Sequence, residues 1–282
     1  MADTINKDIE ADPASAQTDA EEYSSGYVTD TASLTSSINS YVFENGRRYH
    51  TYFGTEKNLQ PADETEQDRL DLHHESFLIL LSKRLHFAPI SAPMSILDVT
   101  DAYPCASSLG IDLSPIQPHW IPPNCRFEVD DAEADWSYAD GSFDLIHICN
   151  IAQGIKDYPK LLEQSFRCTQ PKRYLCLAEL ELSINSDDGT HMLPQGEGIN
   201  KMSKLLADAL EKIGRPRLVT AEMLKHGLEK AGYQEMKVET YKQPLGPWAK
   251  NKDLKAVGAT NLLSGETVTM HMEWLCSPAF WV

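Results

Sequence analysis

The stretch SILDVTDAYPCASSLGIDLSPIQP, residues 95–118, decides the fold. Its opening run, SILDV, is apolar and predicts a buried strand, and SLGIDL at 108–113 predicts a second one. Further apolar runs follow at 125–131, 143–150 and 174–180, with helical periodicity at 158–170. Nearly apolar strands that alternate with helices are typical of a parallel sheet covered on both faces. The sequence therefore predicts an α/β fold.

The first two of these strands lie unusually close together in the chain. Asp98 stands in the first strand and Asp112 near the end of the second, with residues 99–111 between them. About four of these belong to the second strand, which leaves roughly nine for two loops and a helix, whereas a parallel crossover generally needs about a dozen or more. Pro104 would further interrupt a helix. We expect the first crossover to be truncated.

Polar residues stand where the later strands end. In open α/β sheets, ligands bind at the carboxyl ends of the strands. Asp112 can accept hydrogen bonds from both ribose hydroxyls of a nucleotide, and the pair Asp130 and Asp131 can meet the edge of an adenine ring. The fourth strand ends at Asn150, which would face the cofactor and the substrate entrance. Each aspartate also fits a turn or a helix N-cap, so their common order and spacing carry the prediction.

Several segments between about residues 41 and 255 resemble the fungal LaeA-like S-adenosylmethionine-dependent methyltransferases. The most specific block is DLSPIQPxWxPPNCRFExDDAExxW, which begins at Asp112. The other matching segments are ENGRRYH, DETEQDRLDLHHESFLILL, DYPKLLEQSFRC, SDDGT, EKIGRP and YKQPLGPW. The resemblance implies a class I methyltransferase fold: a Rossmann-like, mostly parallel sheet with helices on both faces and an N-terminal helical lid. It also implies S-adenosyl-L-methionine as cofactor and a link to fungal secondary metabolism or its regulation.

The resemblance assigns roles to residues at the sheet edge. Asp112 matches the acid that binds the ribose, and Asp131 and Ala132 match the adenine contacts. Asp98 stands where the family's cofactor loop begins. A general base is optional in methyl transfer; His147 in the fourth strand is the nearest candidate, although a packed, hydrogen-bonded histidine fits the same pattern.

The resemblance also covers the segment before the sheet. Tyr49 and Tyr52 fall in the N-terminal region that folds over the cofactor in this family. Arg47 and Arg48 in the same region are candidates to pair with a carboxylate. All four are therefore expected to belong to the lid.

The chain departs from the family pattern at the first loop. The family has D-x-G-x-G-x-G, where glycine lets the backbone approach the ligand closely, but Val99, Thr100 and Asp101 stand here instead. A β-carbon at these positions would obstruct the methionine half of the ligand, and Asp101 would repel its carboxylate. The usual P-G-G before the fifth strand is replaced by residues 171–173, PKR, and the closing strand is missing. These departures predict impaired activity, and they fit either misjoined exons or an inactive paralogue.

Composition restricts the possible partners. A formal charge of −17 disfavours nonspecific contact with nucleic acid or anionic membrane. No apolar run is long enough to span a membrane, and the start of the chain lacks an apolar leader. The six cysteines show no CxxC pair, which favours a reduced compartment. We expect a cytoplasmic or nuclear protein. No metal site is expected, because adjacent His73 and His74 cannot face the same way on a helix.

Four regions follow from these patterns. Low apolar content predicts a disordered acidic tail over 1–42. Residues 43–94 form the lid and a helix at 61–85, and 95–185 form the Rossmann-like core. Residues 186–282 form a helical, substrate-side region with a sixth strand at 235–246 and an atypical, apolar C-terminus that would suit a protein partner. In the helix at 61–85, we expect a core-facing stripe of Leu70, His74, Phe77, Leu81 and Leu85.

The sequence thus predicts an S-adenosylmethionine-dependent methyltransferase that acts on a small molecule, with activity impaired as encoded. The alternative is a catalytically inactive, methyltransferase-like regulatory or binding subunit. A nicotinamide oxidoreductase is disfavoured, because no glycine cluster follows the first strand.

Overall fold

A 3-10 helix and a short antiparallel hairpin begin the described part of the chain. The computed structural model describes residues 36–97, 106–117, 121–181 and 197–275. Its first elements are a 3-10 helix (Ser36–Asn39) and the strands β1 (Tyr41–Glu44) and β2 (Arg47–His50). Asn45 and Gly46 join the strands with φ of 47° and 76°, the left-handed pair that a tight two-residue turn requires. The hairpin was not expected, and the lid is therefore not purely helical. It also begins inside the residues assigned to the tail, of which 1–35 lie outside the described part.

Helix α1 (Glu64–Leu80) follows the hairpin. It begins at the N-cap Asp63, whose carboxylate accepts a hydrogen bond from Glu66 N at 3.0 Å. It ends five residues before the expected Leu85, because Ser82 and Lys83 adopt left-handed φ angles of 55° and 63°.

The expected apolar stripe is only half-buried, at Leu70, Phe77, Leu81 and Leu85. The buried residues of the helix are Glu66, Arg69 and Ser76, whereas His74 is exposed. The reason is a polar packing surface: Arg69 and Glu66 form a buried ion pair at 2.6 Å, and Ser76 bonds Thr260 on a later helix.

Five parallel strands form the central sheet. They are β3 (Ser95–Leu97), β4 (Ser107–Asp112), β5 (Cys125–Val129), β6 (Phe143–Cys149) and β7 (Thr169–Ala178), in the spatial order β5-β4-β3-β6-β7. The chain runs outward from β3 to β5 and then resumes on the other side with β6, so the strand order reverses between β3 and β6. This confirms the Rossmann-like parallel sheet, and it places the switch point where such folds bind ligands.

The short first crossover connects two strands that pair directly with each other. β3 and β4 are parallel neighbours, with Ser95 opposite Ser107 and Leu97 opposite Leu109. Residues 98–106 alone must carry the chain from the end of β3 back to the start of β4. Of these, 98–105 lie outside the described residues, and the two strands they join still pair in the parallel order.

Two hydrophobic clusters cover the faces of the sheet. On one face, Ile146 and Ile148 of β6 pack with Leu161 and Leu162 of helix α2 (Tyr158–Cys168). On the other face, Leu145 packs with residues that follow α1, among them Leu85, Ala88 and Ile90. Alternation along β6 thus sends successive side chains to opposite layers.

Three helices complete the described chain: α3 (Glu197–Lys212), α4 (Ala221–Ala231) and α5 (Lys252–Leu275). The sixth strand expected at 235–246 is wrong, since this segment is irregular. Helix α5 occupies the residues that would have to return as its antiparallel partner, and an extended segment without a partner forms no ladder. Helix α5 also contains Trp274, whereas Phe280 and Trp281 lie outside the described residues. None of the described helices combines the length and apolar character needed to cross a membrane.

Candidate functional site

The ends of β4 and β5 bring the candidate nucleotide-binding acids to one edge of the sheet. Asp112, the last residue of β4, lies opposite Val129, the last residue of β5. The backbone N–H of Asp130 donates to the carbonyl of Asp112 at 2.9 Å, which continues the ladder by one step. Asp131 follows directly, so Asp112 and the Asp131–Ala132 pair lie on neighbouring strand ends.

Asp112 is held by the turn that follows it. Its Oδ1 accepts a hydrogen bond from Ser114 N at 2.8 Å, a local bond that fixes the carboxylate relative to the backbone. The buried Ser114 hydroxyl in turn accepts from Asn58 Nδ2 at 2.8 Å. Asn58 belongs to the segment between β2 and α1, so the N-terminal region reaches the β4 end.

Asp131 makes a second link to the same segment. Its Oδ2 lies 2.8 Å from Lys57 Nζ, and its Oδ1 accepts from Glu133 N at 2.9 Å. The hydrogen bond to Asp131 raises the pKa of Lys57 against the opposing effect of burial. Ala132 is half-buried, packs against the main core and accepts a hydrogen bond from Trp136 Nε1 at 3.0 Å. The end of β5 is therefore held by the core through Ala132 and by the N-terminal segment through Asp131.

Glu133 joins this edge to the loop after β6. It accepts hydrogen bonds from Lys57 Nζ at 3.1 Å, Lys156 N at 2.6 Å and Asp157 N at 3.3 Å. Burial disfavours the ionised carboxylate, but these donors outweigh it and lower the pKa of Glu133. Glu133 is thus an ionised anchor shared by three segments.

Arg215 lies in the loop after α3 and is almost fully buried, with 3% of its surface exposed. Its Nη2 donates to the carbonyls of Glu56 and Lys57 at 3.2 and 3.1 Å. Its Nη1 donates to the carbonyls of Gln153, at 3.0 Å, and Gly154. One guanidinium therefore ties the N-terminal segment to the loop after β6.

The end of β6 lies at the switch point of the sheet. Asn150 adopts a left-handed φ of 53°, and its N–H donates to the Ala178 carbonyl at 2.9 Å. Glu179 then accepts from the backbone N–H groups of Ile151 and Ala152 at 3.3 and 3.2 Å and from the Tyr158 hydroxyl at 2.6 Å. Burial raises the pKa of Glu179, although all three donors oppose this rise. These hydrogen bonds consequently fix the backbone at the start of the loop after Asn150.

His147, the candidate base, lies within β6 and not at its end. It is half-buried opposite Cys176 in the register with β7. Its neighbour on this face is His86: burial lowers the pKa of His86, and the charge of His147 lowers it further. The structure therefore does not bring His147 together with Asp112 and Asp131, and its role as a base stays a prediction.

The candidate lid residues lie in and after the hairpin. Tyr49 is half-buried in β2, and burial raises its pKa to about 12. Tyr52 is 42% exposed and packs edge-on against Phe53. Arg47 meets a carboxylate within the chain, because its Nε and Nη2 bind Asp63 at 2.7 and 2.8 Å.

Arg48 meets the same part of the chain as Arg47. Its Nη2 donates to the Ala62 carbonyl at 2.7 Å. The two arginines therefore join the hairpin to the start of α1. Cofactor contact by Tyr49 and Tyr52 stays a prediction.

The residues expected at the first loop lie outside the part of the chain that the structure describes. Asp98, Val99, Thr100 and Asp101 belong to 98–105, where the structure is not described. Among the described residues, no group of three or more His, Cys, Asp or Glu side chains gathers into a metal-holding arrangement.

Four contributors to this edge escaped the sequence reasoning: Lys57, Asn58, Glu133 and Arg215. Glu133 and Arg215 lie in the segments VDDAE and EKIGRP, which carry part of the family resemblance. A lone arginine between glycine and proline was the available signal for Arg215. Lys57 and Asn58 have no local pattern, because their role depends on how the N-terminal segment crosses the sheet.

Known proteins resemble this chain in sequence. Residues 75–238 match a family described as a methyltransferase domain. The methyltransferase pytC of Aspergillus terreus is 38% identical over 240 residues, which cover 80% of this chain and 72% of the relative. The secondary metabolism regulator LAE1 of Cochliobolus heterostrophus is 30% identical, with 78% and 76% covered. The protein-methionine methyltransferase laeA of Emericella nidulans is also 30% identical, with 82% and 64% covered.

A solved structure is also similar to this chain. The SAM-dependent methyltransferase of Thermotoga maritima superposes with a TM-score of 0.41 at 17% identity, covering 61% of this chain and 78% of that one.

Proposed function

The chain belongs to the LaeA-like S-adenosylmethionine-dependent methyltransferases, and from this premise we propose that it methylates a small molecule of fungal secondary metabolism. When bound, the cofactor supplies an electrophilic methyl group on a sulfonium. Transfer of that group is an in-line displacement. The protein therefore has to bind the cofactor, orient the acceptor and exclude water.

One observation carries the cofactor step: Asp112 ends β4, and Asp131 follows the end of the neighbouring parallel strand β5 at the same edge. A carboxylate at the first position can accept from two ribose hydroxyls, and one at the second can accept from the adenine amino group. The acceptors present thus fit the donors of the nucleoside half. We assign Asp112 to the ribose, and Asp131 and Ala132 to the adenine.

The covered edge supports a small acceptor. Asn58 and Lys57 bind Ser114 and Asp131, so the N-terminal segment crosses above the strand ends. A segment that crosses the strand ends leaves less room beside the cofactor site, which favours a compact acceptor. A protein acceptor is the second candidate, because one relative is named a protein-methionine methyltransferase.

Calorimetric titration of the full chain with S-adenosylhomocysteine tests the cofactor step. We expect a dissociation constant in the micromolar range. A folded protein that does not bind at millimolar ligand would contradict the assignment. That result would favour the catalytically inactive subunit, the alternative to which the missing glycine-rich loop points.

Methyl-labelled cofactor distinguishes the acceptors. The chain is incubated with labelled S-adenosylmethionine and a small-molecule extract of fungal culture, and separately with the protein fraction. Label in the low-mass fraction would support the proposal. Label confined to protein, including the chain itself, would support the second candidate.

A further inference from the structure

The geometry of Arg215 points to a role in cofactor binding. We propose that Arg215 is a positioning residue that locks the N-terminal segment at Glu56 and Lys57 onto the loop at Gln153 and Gly154, and so presents Lys57 to the nucleotide-binding edge. This role rests on the cofactor binding proposed above, because the contacts of Arg215 are to backbone carbonyls. Its effect passes through the backbone of the segment that it holds.

The first argument is the identity of its partners. Within the described part of the chain, the four acceptors of Arg215 are backbone carbonyls, two from each segment. Those of Glu56, Lys57 and Gln153 lie 3.0 to 3.2 Å from the guanidinium nitrogens. A planar guanidinium offers donors in a fixed fork, so it can bridge two pairs of carbonyls at once. Lysine carries a single ammonium and cannot reproduce this fork. The site therefore requires arginine in particular.

The second argument is the position of Lys57. Arg215 holds the carbonyl of Lys57, while the side chain of Lys57 reaches Asp131 at 2.8 Å and Glu133 at 3.1 Å. Fixing the backbone at this residue limits where its ammonium group can lie. The path thus runs from Arg215 through Lys57 to Asp131, the residue assigned to adenine.

The third argument is electrostatic. Burial lowers the pKa of Arg215, and the charges of Glu133 and Asp131 raise it in opposition. Arg215 therefore lies within the field of the same two acids that Lys57 contacts. A buried cation without such neighbours would be costly, so the acids offset part of the cost of burying Arg215.

The test compares Arg215→Lys and Arg215→Ala with a matched pair two residues away. Arg217 lies on the same loop, is 44% exposed at its side chain and binds Asp208 and Glu211 on α3. Arg217→Lys and Arg217→Ala therefore make the same changes in charge without touching the N-terminal segment. Two readouts apply to all four variants: amide hydrogen exchange in ligand-free protein, and calorimetric titration with S-adenosylhomocysteine.

We expect amide exchange within residues 54–59 to quicken by about tenfold in both Arg215 variants, because both lose charge-assisted hydrogen bonds to the carbonyls of Glu56 and Lys57. Exchange in β4 to β7 should stay at the wild-type rate in Arg215→Lys. The affinity for S-adenosylhomocysteine should fall by about tenfold in the same variant. The Arg217 variants should match the wild type in both measurements.

Equal exchange at 54–59 in Arg215→Lys and the wild type would overturn the proposal, whether or not the cofactor binds. Faster exchange throughout the sheet would overturn it too, because it would show a purely structural role. If the wild type binds no S-adenosylhomocysteine, the cofactor assignment fails, and the exchange result still decides the clamp. If the wild type binds and Arg215→Lys binds equally well, the link from clamp to cofactor is wrong.

Discussion

Asp112 shows how far a single residue can be assigned from sequence. The acid at the end of a predicted strand was recognisable, and the structure places it at the end of β4 beside the β5 end. Its fixed orientation was not recognisable, because it depends on the bond from Ser114 and on the arrival of Asn58 from outside the sheet. Local pattern thus identified the acid, and tertiary contacts supply its surroundings.

The substitution Asp112→Asn should weaken S-adenosylhomocysteine binding by at least about tenfold, since bonds to a charged acceptor are worth roughly 1.5–3 kcal/mol. The amide oxygen can still accept from Ser114, so the melting temperature should change little. Asp135→Asn is the control: this acid follows the neighbouring strand β5, but it is 95% exposed and pairs with Lys160. Unchanged calorimetric affinity in Asp112→Asn, or an equal loss in both variants, would contradict the ribose assignment.

Asp63 provides a pH-dependent prediction at the same scale. The hydrogen bond from Arg47 lowers the pKa of Asp63 from 3.8 to about 2. A carboxyl group with a lowered pKa stabilises the fold above its ordinary pKa, and this stabilisation is lost as the pH falls through about 2. Asp63→Asn keeps the N-cap oxygen but removes the charge.

Urea unfolding of Asp63→Asn and the wild type measures this contribution. At pH 7 the variant should be less stable by on the order of 1–2 kcal/mol. The difference should persist down to about pH 4 and shrink between pH 4 and pH 2.5. A constant difference over the whole range would show that the ion pair with Arg47 contributes nothing.

At the scale of elements, hydrophobic periodicity predicted whether a segment forms a helix or a strand. It was less successful in predicting which face is buried and which segment a strand pairs with. The strands β3 to β6 and helix α2 lie where apolar runs and helical periodicity indicated them, and α3 and α4 lie in the region expected to be helical. Strand β7 begins at Thr169, five residues before the apolar run that indicated it. The buried face of α1 was missed because it is lined by Glu66, Arg69 and Ser76, and polar residues carry no hydrophobic period. The segment 235–246 read as a strand by alternation alone, but a strand exists only where another strand pairs with it.

Two glycines that end helices give a matched prediction. Gly232 ends α4 at φ 108°, and a β-carbon there would lie 2.9 Å from Phe166 Cζ. Gly214 follows α3 at φ 76°, and a β-carbon there would meet nothing within 4 Å. Gly214→Ala should cost about 1–2 kcal/mol, the usual cost of a left-handed alanine, and Gly232→Ala should cost more. Urea unfolding measures the loss in free energy of unfolding for both variants. An equal loss would mean that the Phe166 ring moves away from the new β-carbon at no cost.

At the scale of the whole molecule, composition did not predict where the N-terminal hairpin begins. The tail was expected to end at residue 42, but carbonyls before that point already bond to the hairpin. His50, 2% exposed, lies with its Nε2 2.5 Å from the Ile38 carbonyl. Thr51 N and Oγ1 both donate to the Ser40 carbonyl at 3.0 Å. These bonds were not predictable because their acceptors are backbone carbonyls, whose positions depend on the fold and not on residue type.

Two deletions follow from these bonds. Removing residues 1–35, whose composition predicts no core contribution, should leave the melting temperature unchanged. Removing residues 1–40 should lower it by several degrees, because each buried group left unsatisfied costs about 1–3 kcal/mol and each kcal/mol corresponds to about 2–4 °C at this size. Thermal unfolding compares the two proteins. Equal melting temperatures would show that the hairpin needs neither carbonyl.

The reversal of strand order between β3 and β6 has a consequence for cooperativity. The strands β3, β4 and β5 come from one continuous part of the chain, residues 95–129, and β6 and β7 come from another, residues 143–178. The sheet thus has a seam between β3 and β6, with Asp112 and Asp131 on one side and Asn150 on the other. The two halves can behave as separate folding units that part along this seam before either unfolds. A nucleotide bound across the seam would act as a staple, and it would stabilise the whole molecule by coupling the two halves.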